Sequence, residues 1–83
     1  MAVETDVLRI LDSVLNLQGR TAHWQRQTPL LGAVPELDSM AVLGIITALE
    51  DRFAFIIHDD DIDSSTFATL GSLADFVTAK LAD

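Results

Sequence analysis

An aspartate and a serine, Asp38 and Ser39, stand immediately ahead of the apolar run Met40-Ala41-Val42-Leu43. Two chemistries fit that pair. In the first it only caps a helix, because a short polar side chain before an apolar-periodic segment accepts hydrogen bonds from N–H groups that the first turn leaves open. In the second the Ser39 hydroxyl carries a phosphate-linked group. A serine in the first turn lies near unpaired backbone N–H groups and the positive end of the helix dipole, where a phosphodiester is electrostatically favoured. Asp38 would repel that phosphate, so its roles are to cap the helix and to be read by a modifying enzyme. Taken locally, the pattern favours the cap.

Other reactive arrangements are weaker. Ser39 lacks a Gly-X-Ser-X-Gly elbow, and only His23 and His58 could act as its base. His23 sits in a polar loop and His58 beside three aspartates, so both read as surface histidines and no catalytic residue is assigned. The run Asp59-Asp60-Asp61-Ile62-Asp63 invites a calcium-loop test. Counting from Asp59 puts Ser64 where the loop needs glycine and Leu70 where it needs glutamate. Counting from Asp61 puts Thr66 and Ser72 there. Both registers fail, so no metal site is assigned and the run reads as a solvated acidic face. Trp24 reads as a hydrophobic plug. Cysteine is absent, which removes disulfides, thiolate metal sites and a protein thiol nucleophile.

Three helices would position these residues. Over 4–17, Val7, Leu8, Leu11, Val14 and Leu15 form one stripe, with Thr5 or Asp6 as cap and Gly19 beyond the end. Over 39–53, Val42, Ile45, Ile46, Leu49 and Phe53 share a narrow sector, while Met40, Gly44, Thr47 and Asp51 fall opposite, flanked by Leu43 and Glu50. Over 70–81, Leu70, Leu73, Ala74, Val77 and Leu81 make the stripe and Thr69 the cap. Residues 18–37 lack a period and hold Gly19, Pro29, Gly32 and Pro35. They read as a loop pinned to the core by Trp24, Leu30, Leu31, Val34 and Leu37. Residues 54–58, AFIIH, have no strand to pair with and read as an apolar loop. The acidic segment is expected to hold a short helical turn anchored by Ile62 and Phe67. The expected fold is one all-α domain over 1–83, a small four-helix bundle of three longer helices and one short one.

Charge narrows the partners. Residues 1–35 balance three acids against three arginines, and residues 36–83 set ten acids against Arg52 and Lys80, so the whole net charge of −8 lies from Glu36 onward. Nucleic acid and anionic membranes are disfavoured, and a basic protein surface is favoured, with association that weakens as salt rises. No signal peptide and no stretch near the roughly 20 apolar residues of a membrane span is apparent, consistent with a cytoplasmic protein.

Three linked blocks, ELDSM with AVLGIITALEDRF, an acidic turn, and FATLGSLADFV, resemble an acyl carrier protein over essentially the whole chain. The family motif is Asp-Ser-Leu or Asp-Ser-Met at the start of the second helix. The resemblance implies that Ser39 receives 4′-phosphopantetheine from coenzyme A through a phosphopantetheinyl transferase. Acyl groups would then ride as thioesters on the arm's terminal thiol, delivered by a monomeric carrier that catalyses nothing itself. Asp38 matches the motif's acid. Met40, Leu43, Gly44, Thr47, Glu50 and Asp51 match positions facing basic patches on acyl-loading and acyl-transferring partners. Leu43, Ile46, Ile57, Ile62, Phe67 and Leu73 would shelter a bound chain, or simply form core. The chain departs from the fatty-acid pattern at Glu36 and Leu37, where glycine is frequent, at Gly44 in place of an acid, at Thr47 in place of a methionine, and in a longer acidic segment. LGAVPELDSM looks like stand-alone carriers of bacterial exopolysaccharide or exosortase loci. Two alternatives use the same residues: an acidic helical adaptor in which Ser39 is a mere cap, and a calcium-responsive protein.

Overall fold

Leucine and valine at helical spacing dictate the first element, and the computed structural model, which describes residues 2–82, places it at Ala2–Leu15 (α1). Val7, Leu11 and Leu15 are buried on its inner side, with Leu8 and Val14 half-buried. The helix starts and stops two residues earlier than the expected 4–17, ending on the last residue of its apolar stripe, Leu15. Thr5 and Asp6 lie inside it and do not cap it; Asp6 instead accepts from the Arg52 guanidinium at 2.9 Å. The end is set by Asn16, whose φ of 55° is the left-handed conformation that asparagine tolerates better than most residues. The Leu17 N–H then reaches back to the Asp12 carbonyl at 3.0 Å.

The long connection is tied down at many points. Asp12 Oδ2 accepts the Gly19 N–H at 2.9 Å and the Thr21 hydroxyl at 3.2 Å, which folds Arg20–His23 into a 3-10 turn that no apolar period announces. Leu17, Leu30 and Leu37 are buried, and Trp24 and Val34 half-buried. Leu31, expected as an anchor, is instead 47% exposed. It follows Leu30 at the start of a turn, where the Ala33 and Val34 N–H groups fold back onto the Leu30 carbonyl and Leu31 is left on the outside. That stretch pairs with the approach to the last helix through an isolated Pro29–Thr69 bridge, with the Leu30 and Leu31 N–H groups donating to the Ala68 and Phe67 carbonyls at 3.0 Å.

α2 spans Ser39–Phe53, as its periodicity predicts, with Ile45 and Leu49 buried and Val42, Ile46 and Phe53 half-buried. Ala54, at φ 58°, closes it, and residues 55–58 run on without forming a strand. The acidic segment holds a single 3-10 turn, Asp59–Asp61, in place of the short fourth helix. α3 spans Leu70–Ala82. Thr69 caps it reciprocally with Ser72: Thr69 Oγ1 accepts the Ser72 N–H, and Ser72 Oγ accepts the Thr69 N–H, both at 3.0 Å. Leu70, Leu73, Ala74 and Val77 are buried, while Leu81, counted in the stripe, is 45% exposed in the last turn. α1 packs against both α2 and α3. Among the described residues the architecture is therefore all-helical: three α-helices and two 3-10 turns. Among the described residues no helix is long and apolar enough to cross a membrane.

Arg26 clasps the connection to α3. Its carbonyl accepts the Gly71 N–H at 2.7 Å, and its guanidinium reaches Glu4 at 2.6 Å and Asp75 at 2.7 Å. A Cβ at position 71 would stand 2.9 Å from that same carbonyl oxygen. Gly71→Ala must therefore push the backbone apart or lose the hydrogen bond. The expected cost is about 1–3 kcal/mol, read as a lower urea midpoint at unchanged slope.

Candidate functional site

The site is built where the pinned connection hands over to α2. Leu37, 6% exposed, plugs into the core, and its N–H donates to the Val34 carbonyl at 3.0 Å. Glu36 is paired with the Arg20 guanidinium, which ties the start of the connection to its end. Asp38 then adopts extended backbone, φ −109° and ψ −176°, and its Oδ1 accepts the Ala41 N–H at 2.8 Å. Its carbonyl accepts the Val42 N–H at 2.9 Å. The cap predicted at this position is thus made by Asp38.

Ser39 is left with nothing to cap. It is the first residue of α2, it is exposed, and its hydroxyl makes no hydrogen bond among the described residues. With Ala41 and Val42 satisfied, the N–H groups of Ser39 and Met40 also lack partners there. A free hydroxyl beside two open backbone donors at a helix N-terminus suits an attached phosphodiester.

The neighbouring α2 residues divide into two kinds. Met40 is 78% exposed and Leu43 63%, and Thr47 and Asp51 are exposed. Thr47 returns its hydroxyl to the Leu43 carbonyl at 3.0 Å. Gly44 differs from the other members of its sector. A Cβ there would lie 3.2 Å from Val14 Cγ1, so this position sets the approach of α1 to α2. Glu50 is half-buried, and its Oε2 accepts the Ile57 N–H at 2.9 Å, holding the chain where it leaves α2. Of the acids beyond α2's start, Asp51 and Asp60 have neither an ion-pair nor a side-chain hydrogen-bond partner among the described residues, whereas Glu50 and Asp63 are hydrogen-bonded and Asp61 and Asp75 are ion-paired. Ile56, to which the sequence assigned no role, is 67% exposed. The signal for it was alternation: Phe55 and Ile57 pack inward, so the residue between them must face out.

The six chain-sheltering candidates are not brought together around an opening. Phe67 and Leu73 are core, Ile46, Ile57 and Ile62 pack against it, and Leu43 faces solvent. None of them lines any of three surface clefts of about 300–330 Å³. The acidic segment is tied to its own backbone. Asp61 Oδ2 accepts the His58 N–H at 2.9 Å and the Lys80 ammonium at 3.1 Å, and Asp63 Oδ1 accepts the Ser65 N–H at 2.9 Å and the Ser65 hydroxyl. No three His, Asp or Glu side chains among the described residues are grouped to hold a metal ion.

These contacts set an acid limit. The Arg20 guanidinium holds the Glu36 carboxyl below its usual range; the His58 N–H, then Lys80, lowers Asp61; the Ser65 hydroxyl and N–H lower Asp63. A carboxylate with a depressed folded-state pKa stabilises the fold above its unfolded value and loses that contribution as pH falls through the folded value. Stability should stay level from about pH 7 to about pH 5 and fall below about pH 4. Thermal melts followed by circular dichroism would check this, and Asp61→Asn with Asp63→Asn should flatten the acid limb.

Among solved structures, the chain is similar to the solution NMR structure of the holo acyl carrier protein from Nitrosomonas europaea. The two are 51% identical with a TM-score of 0.90, over 100% of this chain and 99% of that one. No protein-family model matches the chain, and no curated protein does.

Proposed function

This chain belongs to the acyl carrier protein family, and from that premise we propose that it is a single carrier domain loaded by a phosphopantetheinyl transferase with 4′-phosphopantetheine from coenzyme A at Ser39. The observation that carries the reading is the division of labour at α2's start: Asp38 makes the cap, and the Ser39 hydroxyl stands exposed and unpartnered among the described residues. When bound, the arm supplies the terminal thiol on which acyl groups are carried as thioesters. Ser39 Oγ is the attachment atom, and the open N–H groups of Ser39 and Met40 favour the phosphodiester's negative charge. Asp38 holds the first turn and is the acid that the transferase reads.

Partner enzymes meet the exposed side of α2. Met40 and Leu43 offer apolar contact, Thr47 a hydroxyl and Asp51 an unpaired carboxylate. Gly44 and Glu50 serve this face indirectly, by setting α2 against α1 and fixing its exit. Docking on basic patches of acyl-loading and acyl-transferring enzymes weakens with added salt. The chain catalyses no reaction itself and acts as a monomer in the cytoplasm, in fatty-acid, polyketide-like or exopolysaccharide-linked acyl metabolism. A bound acyl chain is sheltered by parting Ile46, Ile57, Ile62, Phe67 and Leu73 beneath Leu43. The acidic segment, with its 3-10 turn, takes the place of the bundle's fourth helix.

Intact mass spectrometry after incubation with coenzyme A and a promiscuous transferase tests the reading. One phosphopantetheine should be added, and an unmodified wild-type protein would refute it.

A further inference from the structure

One cleft, of about 300 Å³, is built almost wholly from the connection that precedes α2. Leu17, Trp24, Pro29, Val34 and Pro35 give it apolar walls, and Glu36 stands at its edge. Glu36 uses one carboxylate oxygen on Arg20. The other, Oε1, is shielded from water and has no hydrogen-bond partner among the described residues. An unanswered acceptor of this kind costs stability until a donor reaches it. Because Glu36 lines the cleft, a donor bound there comes within reach of its carboxylate.

The cleft ends three residues before Ser39, and three residues span at most roughly 11 Å even when fully extended. The other two clefts are less well placed. One lies between α1 and α2 at Ala48 and Arg52, nine to thirteen residues along α2 from Ser39, or about 14–20 Å. The other flanks α1 at Thr5, Leu8 and Asp12.

Resting on the reading of Ser39 as the attachment point, we infer that the cleft between Trp24, Val34, Pro35 and Glu36 is the resting place of the unacylated pantetheine arm. The chemistry matches on both counts. The arm carries geminal methyl groups that suit the apolar walls and two amide N–H groups, one of which can answer Glu36 Oε1. Because the arm is tethered beside the cleft, its effective concentration there reaches the millimolar range, so a weak intrinsic affinity suffices to fill it. Met40 and Leu43 do not line the cleft, so an arm parked there leaves them free for docking.

Trp24 is the chain's single tryptophan and lines this cleft, so it reports occupancy directly. The test uses the full chain converted to the holo form, with conversion verified by mass. Nuclear Overhauser contacts are expected between the arm's geminal methyls and the Trp24 indole, and tryptophan emission should move to shorter wavelength relative to the unmodified protein. In Ala33→Phe, which fills the cleft from its rim, modification should proceed while the contacts and the emission shift disappear. Complete modification without contacts to Trp24, or an emission shift that persists in Ala33→Phe, overturns the inference and leaves the attachment site standing. Absence of modification overturns both. Should Ala33→Phe fail to fold, the contacts in the wild-type holo protein decide alone.

Discussion

Ser39→Ala should abolish the mass gain from coenzyme A and transferase while moving the unfolding free energy by no more than about 0.5 kcal/mol. The asymmetry follows from what the two neighbouring side chains touch. Ser39 Oγ has no hydrogen bond to lose among the described residues, and the methyl group that replaces it remains in solvent. Asp38→Ala should show the converse in stability. Its carboxylate satisfies the Ala41 N–H at 2.8 Å, and removing such a cap costs about 1 kcal/mol. Modification of that variant should slow, because the acid proposed to be read by the transferase is gone, but the acceptor hydroxyl remains. Urea titrations and timed intact-mass measurements on both variants separate the roles. A stable but unmodifiable Ser39→Ala beside a weakened but modifiable Asp38→Ala is the expected pair of results. If Ser39→Ala is modified as well as wild type, the attachment site lies elsewhere. If it loses as much stability as Asp38→Ala, Ser39 is a structural cap and the adaptor reading regains its ground.

That division was only half legible in the sequence. Adjacent Asp and Ser before an apolar run announce a cap that either could make, and it was the reading of Ser39 as the attachment point that left the cap to Asp38. What the chain does announce is whatever depends on local period. α2 from Ser39 to Phe53, the Thr69 cap and the buried Leu70-Leu73-Val77 stripe follow from spacing alone. Features set by tertiary contact were not visible. Asp6 resembles a helix start but is taken up by Arg52, 46 residues away. Gly44 resembles part of an open face until α1 is laid against it, and Glu50 resembles a partner-facing acid until the chain turns back to offer it the Ile57 N–H. The Glu36–Arg20 pairing and the cleft it bounds belong to the same class. They join residues 16 apart across a connection whose path no periodicity fixes.

Leu73→Ala should be among the most damaging single changes, with an expected cost of about 2–5 kcal/mol. Leu73 is fully buried in α3, so truncation loses transfer free energy and leaves a void that close-packed neighbours fill only in part. For a chain of this length total stability is about 4–12 kcal/mol, and the loss could take most of it. Leu43→Ala, at a position 63% exposed, should cost no more than about 0.5 kcal/mol. The contrast also tests the proposed shelter for an acyl chain, in which both residues were placed. If the chain enters beside Leu73, the void in Leu73→Ala offers it extra room. Each methylene so buried returns at most roughly 0.8 kcal/mol. Loading that variant with acyl groups of increasing length should then raise its melting temperature more steeply than it raises that of the wild-type protein. Equal slopes would mean that a carried chain does not reach the space beside Leu73 and that Leu73 is core alone. The Leu43 variant serves as the control for surface effects in the unacylated protein, where its stability should be level with wild type while its docking to basic partner enzymes weakens.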